Sequence, residues 1–339
     1  MKNCKHLLAL VLAVLMLLSL AACGSSSGTA SQPQTAAAPE ASEEAPAAET
    51  DWPKSSVEII VPASAGGEAD FVGRIWADAL TRYFGVPFVV TNVSGNACAT
   101  GTLQARDAAN DGYTMLCIHQ SIVINQLAGL SDYGIEEFEM GGMVYRGNGD
   151  LVLVSGKSGL TSADELYEAT NANPGTMTTS TSFGASTQIL GFMMQDAGFD
   201  IREADIGDAA EKLTALLGGH INVIFNSYGA VKDYLETGEL VTVGSVSRER
   251  IDAYPDIPTM SEQGYDVVYE PYNFLAFPKG TDQAIVDKLT EAAEWIVNND
   301  EEYWADLESY GVQPFWMAPD EAVAYLDQCR TDWAHFYED

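Results

Sequence analysis

Basic residues are scarce. Sixteen Lys and Arg stand against 49 Asp and Glu in 339 residues, a formal net charge of −33. So acidic a chain repels phosphate backbones and anionic head groups, which argues against nucleic acid as a partner. Any anion it binds needs a local source of positive potential. Cysteine is scarce too: beyond Cys4 and Cys23 near the start, only Cys98, Cys117 and Cys329 remain. An odd number excludes a fully paired disulfide framework, and no disulfide is expected to be needed for folding. His119, His220 and His335 are far apart, and no HExxH or Cys/His cluster exists, so neither metal nor cofactor is expected. There is also no GxSxG elbow, GxGxxG or GK[ST] phosphate loop.

What is present begins with the leader. Lys2 and Lys5 precede an apolar run from Leu7 to Leu20, too short for a comfortable membrane span and suited to a signal peptide. Leu20-Ala21-Ala22-Cys23-Gly24 resembles a bacterial lipobox, which implies cleavage before Cys23 and lipidation of its thiol; the alternative is an ordinary signal peptide with an incidental Cys23. Residues 23–51 are rich in Ser, Ala, Pro, Gly, Thr and Glu, with no aromatic before Trp52. Such a segment cannot bury a core and reads as a disordered tether. The expected setting is the outer face of a bacterial cytoplasmic membrane, at the cell surface if the envelope is Gram-positive.

From residue 57 short β-like runs alternate with amphipathic helical stretches. Val57–Val61, Val86–Val90 and Tyr113–Ile118 read as strands, and 69–84 as a helix with Phe71, Val72, Ile75, Trp76, Ala79, Leu80 and Phe84 at helical spacing. A second set of such units runs from Leu151 to Ser245 before Tyr254-Pro255-Asp256-Ile257-Pro258 interrupts it. Strands separated by helices argue for parallel, doubly wound sheets. The expected architecture is a bilobed α/β fold of the type II periplasmic-binding-protein kind: a leader at 1–22, a tether at 23–51, a first lobe from 52–147 and 276–339, and a second from 148–275. Ligands of such sheets bind beyond the carboxyl ends of strands, here the interlobe cleft.

The sharpest motif is Val61-Pro62-Ala63-Ser64-Ala65-Gly66-Gly67-Glu68-Ala69-Asp70, between a strand and a helix. Glycines permit close backbone approach, and a helix amino end attracts anions without a basic side chain. Four more segments fall at strand ends or crossovers: Ile118-His119-Gln120-Ser121, Ser180-Thr181-Ser182-Phe183-Gly184-Ala185-Ser186-Thr187, Asn226-Ser227-Tyr228 and Glu270-Pro271-Tyr272-Asn273. Arg146 is a further candidate near the expected hinge, with a surface ion pair as the plainer reading.

At this point the chain resembles the solute-binding proteins of tripartite tricarboxylate transporters, the Bug receptor family. VPASAGGEAD (61–70), RDAANDGYTML (106–116), LTALLGGHINVIF (213–225), RERIDAYPDIPTMSEQGYD (248–266) and FPKGT (277–281) carry the resemblance. It implies two lobes closing on a small carboxylate. Ala65, Gly66, Gly67 and Asp70 would cradle one end of it, and His119, Gln120, Ser121 and Asn125 would contact it from a second first-lobe loop. Ser182, Gly184, Ala185 and Ser186 would cap a carboxylate from the second lobe, with Asn226 and Tyr272 lining the cleft. Ala63, Tyr272 and HQSIVIN depart from the family pattern at the pocket wall. Citrate-like acids, C4-dicarboxylates, amino acids and aromatic acids therefore all remain open as ligands.

The resemblance implies a monomeric, non-enzymatic receptor that serves membrane permease subunits. A ligand sensor for a two-component kinase is the nearest alternative. A secreted lipoprotein hydrolase is the more distant one, because Ser182 has no evident base with His119 placed in the other lobe.

Overall fold

Among residues 50–206 and 209–338, which the computed structural model describes, ten strands divide into two five-stranded sheets. The leader, Cys23 and nearly all of the expected tether lie outside the described residues. The first sheet contains β1 (Val57–Val61), β2 (Phe88–Asn92), β3 (Thr114–Ile118) and β4 (Phe138–Arg146). The second contains β5 (Leu151–Ser155), β6 (Met177–Thr181), β7 (Ile201–Asp205), β8 (Val223–Asn226) and β9 (Leu240–Ser245). The last strand, β10 (Tyr272–Pro278), returns to the first sheet. Helices α1 (Glu68–Phe84), α2 (Ala99–Arg106) and α3 (Ser121–Leu127) connect the first set of strands. Helices α4 (Ala163–Ala172), α5 (Ser186–Asp196), α6 (Ala209–Leu217) and α7 (Tyr228–Glu236) connect the second. The chain closes with α8 (Gln283–Asn299), α9 (Glu301–Ser309) and α10 (Pro319–Trp333).

The sheet orders are β2-β1-β3-β10-β4 and β7-β6-β8-β5-β9. Each sheet thus carries one strand that breaks the expected all-parallel pattern. β10 runs antiparallel to β3 and β4, and β5 antiparallel to β8 and β9. Both are the first strand after the chain crosses between sheets. A chain arriving from the facing lobe enters at the carboxyl edge, so it must run against its neighbours. This crossing also corrects the expected boundary at 275/276, which falls inside β10, a strand paired throughout with the first sheet. Two strands were not legible in sequence: β4, interrupted by Gly141 and Gly142, and β7, which carries Arg202, Glu203 and Asp205.

The two crossings, 147–150 and 246–271, lie side by side. Gly147 N–H donates to Pro271 O at 2.8 Å, Val246 N–H to Asp150 O at 2.9 Å and Tyr269 N–H to Val246 O at 2.9 Å. An apolar cluster continues across this region, joining Ile118 and Phe274 of the first sheet to Val152 and Phe225 of the second and to Trp333 of α10.

Local chemistry explains the elements that position the site. Helix α1 buries Val72, Ile75, Trp76, Ala79 and Leu80, one stripe at helical spacing, against the first sheet. It stops at Gly85, whose φ of 73° turns the chain while its N–H bonds Thr81 O. β5 and β10 are buried along nearly their whole length, as expected of strands covered on both faces. Cys98, Cys117 and Cys329 are all free thiols.

Candidate functional site

A cavity of about 110 Å³ lies where strand ends of both sheets meet. The first lobe contributes Glu68 and Ala69 from the head of α1, His119 from the end of β3, and Asn273 from β10. The second contributes Ser186 from the head of α5 and Asp150 from just before β5, while Tyr269 and Pro271 come from the crossing segment. A larger groove of about 430 Å³ between β4 and α10 is more open and lies away from these strand ends.

Of the ligand contacts expected from sequence, His119 and Ser186 line the cavity. Burial holds the His119 imidazole neutral, its pKa pushed down to about 4. Its Nδ1 lies 3.0 Å from Ser121 Oγ, and Ser121 is buried outside the cavity lining. Ser186 opens α5, whose N-cap residue Ala185 supplies no side-chain bond. The first N–H groups of such a helix point outward unpaired and carry partial positive charge. Lys212 adds to that potential, with Nζ 3.4 Å from Thr187 Oγ1.

Other expected contacts are spent on the protein itself. Asp70 is buried and accepts from Gly66 N–H at 2.9 Å, Arg74 Nε at 3.0 Å and Asn92 Nδ2 at 2.9 Å. These bonds, with the Arg74 ion pair, hold its carboxyl below the usual range despite burial. Asp70 therefore pins the Ala65-Gly66-Gly67 loop, which is itself exposed, and does not face the cavity. Gly66 needs its glycine, with φ of 88°; Gly67, the N-cap of α1, has φ of −92° and does not.

Gln120 is likewise engaged. Its side chain donates to Glu270 O at 2.8 Å and accepts from Tyr272 N–H at 2.9 Å. Tyr272 packs edge-on against Phe315, with its hydroxyl 3.3 Å from Glu270 Oε2, and it does not line the cavity. Asn226 accepts from Ser227 N–H at 2.9 Å at the end of β8. Arg146 is exposed, with its guanidinium 5.4 Å from the Phe315 ring centroid.

Asn125 has a different role. Its Nδ2 donates to Ala97 O of the first lobe and to Gly184 O of the second, both at 2.9 Å. Gly184 N–H is held in turn by Gln188 Oε1 at 2.8 Å, and Ser182 N–H by Thr187 Oγ1 at 3.1 Å. Ser182, Gly184 and Ala185 therefore shape the loop before α5, and Asn125 ties that loop to the first lobe.

Six of the eight lining residues are not among the expected contacts: Asp150 and Tyr269 lie in no segment singled out from sequence, whereas Glu68, Ala69, Pro271 and Asn273 lie in the 61–70 and 270–273 segments without having been named as contacts. Glu68 Oε1 accepts the Tyr145 hydroxyl at 2.7 Å, yet burial pushes its carboxyl up to about 7, with the nearby Asp150 charge adding to the rise. Asp150 is pushed up to about 6 by burial, against the pull of Lys212. Asn273 Nδ2 and the Tyr269 hydroxyl are buried with no hydrogen-bond partner among the described residues. Both atoms are closed off from the cavity space itself, so neither is open to a guest in this arrangement.

A guest in this cavity touches both lobes at once, and so favours the arrangement that brings both walls to it. That is how a bilobed solute-binding receptor works, and the fold places the chain in that class. Residues 72–334 match the tripartite tricarboxylate transporter family receptor, and the chain belongs to that family. Protein BugT of Bordetella pertussis is 28% identical over 86% of this chain and 90% of its own length. The periplasmic binding protein BugD superposes with a TM-score of 0.72 at 24% identity, covering 84% of this chain and 97% of BugD. A Rhodopseudomonas palustris protein solved with adipate gives 0.73 at 22% identity over 84% of this chain and 96% of its own. At those identities the two structures establish the fold.

Proposed function

We propose that the chain is an extracytoplasmic lipoprotein that captures a small organic carboxylate between its lobes and presents it, as a monomer, to the permease of a tripartite tricarboxylate-type transporter. The carrying observation is the amino end of α5, whose Ser186 lines the interlobe cavity. A helix amino end offers an anion backbone hydrogen-bond donors without a cluster of basic side chains. Membership of a receptor family for a transporter supports the permease as partner and a site outside the cytoplasm. No helix among the described residues is long and apolar enough to cross a membrane; lipid on Cys23 would hold the chain at one.

The site binds and does no chemistry. The Ser121–His119 pair is the nearest approach to a nucleophile and base, and Ser121 is buried outside the cavity lining. No group of His, Cys, Asp and Glu suited to a metal ion occurs among the described residues.

Mass spectrometry of ligand released from the natively purified protein, followed by calorimetry with that compound, tests this reading. One equivalent of an organic acid is expected, raising stability by about 2.7 kcal/mol at one hundred times its dissociation constant. Conversion of that acid by the purified protein would overturn it. For the anchor, Cys23→Ser should release folded protein into the medium; continued lipid labelling of that variant would contradict lipidation at Cys23.

A further inference from the structure

Helix α10 packs against β4 of the first sheet, yet the turn that follows it reaches the second lobe. Three consecutive side chains of that short 3-10 helix, Ala334–Tyr337, each meet α5. His335 Nε2 lies 2.9 Å from Asp196 Oδ2. Phe336 stacks on Phe192 with ring centroids 5.3 Å apart. The Tyr337 hydroxyl donates to Gln188 Oε1 at 3.2 Å. Residues 188, 192 and 196 recur every fourth position, so they form one stripe along α5.

That stripe is coupled to the interlobe contact. Gln188 Oε1 also accepts from Gly184 N–H at 2.8 Å, and Gly184 O accepts from Asn125 of the first lobe at 2.9 Å. A rotation that lifts α5 off the first lobe therefore has to part the 334–337 turn from α5, or pull that turn away from α10. The stack and the phenol bond are indifferent to pH near neutrality. The His335–Asp196 contact is not, because an imidazole changes charge there.

The surroundings of His335 favour its charged form. Asp196 faces it from α5, and Asp332 and Glu338 act on it from its own segment. Its ring packs on Phe336 with centroids 4.0 Å apart. Asp266 of the crossing and Arg248 share the adjoining groove with Asp196 and Asp332, and Arg248 brings the only basic group to it among the described residues. The bond to Asp196 raises the His335 pKa above its ordinary 6.5. Behind Gln188 and Tyr337 lies Glu203, which burial pushes up to about 7.

We propose that this turn is a proton-sensitive clasp: with His335 charged it holds α5 to the first-lobe helix α10, and with His335 neutral it lets the lobes part. A histidine raised in this way contributes fully below its ordinary value and loses the contribution as pH rises through the folded one. Acid therefore favours the closed form and alkali the open one. The pair is exposed, so the ratio of closed to open should change only about two- to fivefold. Glu68 and Asp150 ionise over a neighbouring range and repel each other across the cavity, so the test has to separate their effect from that of His335.

Small-angle scattering on the ligand-free full chain at about pH 6 and about pH 9 compares the native protein with His335→Ala and His335→Arg, the latter charged at both. At the lower pH the native protein and His335→Arg should share a small radius of gyration, and His335→Ala should be larger. At the higher pH the native protein should join His335→Ala, and His335→Arg should stay smaller. Phe336→Ala, which removes the stack and no charge, should be larger at both. Imidazole titration by NMR should place native His335 above 6.5 and Asp196→Asn closer to it. Circular dichroism confirms folding. A native radius that follows His335→Arg at both pH values would overturn the clasp and assign any expansion to Glu68, Asp150 or Glu203. Equal radii for the native protein and His335→Ala at the lower pH would overturn it too. Neither result bears on ligand capture, since no ligand enters the test.

Discussion

Tyr145, one residue before the end of β4, donates its hydroxyl to Glu68 Oε1 at 2.7 Å and so ties the head of α1 to the strand that leads into the first crossing. The bond favours the ionised carboxyl while burial opposes it, and burial dominates. Tyr145→Phe should push the Glu68 carboxyl above its present value near 7. It should also cost about 1.5–3 kcal/mol at pH 8, where an ionised carboxylate would lose the hydroxyl that donates to it. At pH 5 the acid is protonated and the loss should be smaller. Carboxyl carbon titration by NMR and urea unfolding at the two pH values check both statements; equal losses would show that Tyr145 acts through packing alone.

The same two acids make stability depend on pH. Glu68 and Asp150 have folded values near 7 and near 6, above the unfolded carboxyl range. Groups raised in this way contribute most below the unfolded pKa and lose that contribution as pH rises through the folded one. The ligand-free protein should therefore lose stability between about pH 4 and pH 7. For Glu68 the change is about 3 kcal/mol as an upper bound. Glu68→Gln should flatten this part of the curve in denaturant titrations. A wild-type curve already flat over that window would mean the two carboxyls ionise freely in the fold.

The glycine pair before α1 divides its work unequally. Gly66 has φ of 88°, and its N–H bonds Asp70; Gly67 has φ of −92°, and an added Cβ there would meet only Ser64 O at 3.9 Å. Gly66→Val should destabilise the protein by about 1–2 kcal/mol or more, because a β-branched side chain resists the left-handed region. Gly67→Val should cost less, mainly through a poorer N-cap. Urea midpoints of the two variants rank them; the reverse order would place the strain at Gly67.

What can be read from sequence follows from which interactions are local. The strand–turn–helix junction at 61–70 is legible because turn chemistry and helical spacing lie within ten residues. His119 and Ser186 fall on the cavity because each directly follows a strand or opens a helix at a sheet's carboxyl edge. Asp70 and Gln120 do not, because a polar side chain near that edge can turn inward instead; the Asp70–Arg74 spacing of four on one helix is the local signal for the former. Asn273 fell in a singled-out crossover segment, but not as a contact. Asp150 could not be placed, since its position at the carboxyl edge depends on β5 running antiparallel. That direction is a property of the crossings between lobes, which no local pattern encodes.

The two lobes approach each other closely at Gly184. Its carbonyl accepts from Asn125 Nδ2 at 2.9 Å, and its φ of 73° allows the loop before α5 to meet the first lobe. A Cβ at Gly184 would overlap Leu130 Cδ1 and lie 3.6 Å from Asn125 Nδ2. The C-terminal segment adds further ties between the lobes, with His335 Nε2 2.9 Å from Asp196 Oδ2 and Phe336 stacked on Phe192. Gly184→Ala should therefore disfavour the closed form twice over, through contact with Leu130 and through backbone strain, while leaving each sheet intact. Asn125→Ala should disfavour it more gently by removing the bond. Small-angle scattering should then show a larger radius of gyration for Gly184→Ala than for the native chain at equal ligand concentration, with weaker binding and faster ligand release. Because ligand contacts on both lobes pull the equilibrium back, saturating ligand should narrow the difference. A Gly184→Ala protein with native radius and native affinity would show that the lobes close without this contact.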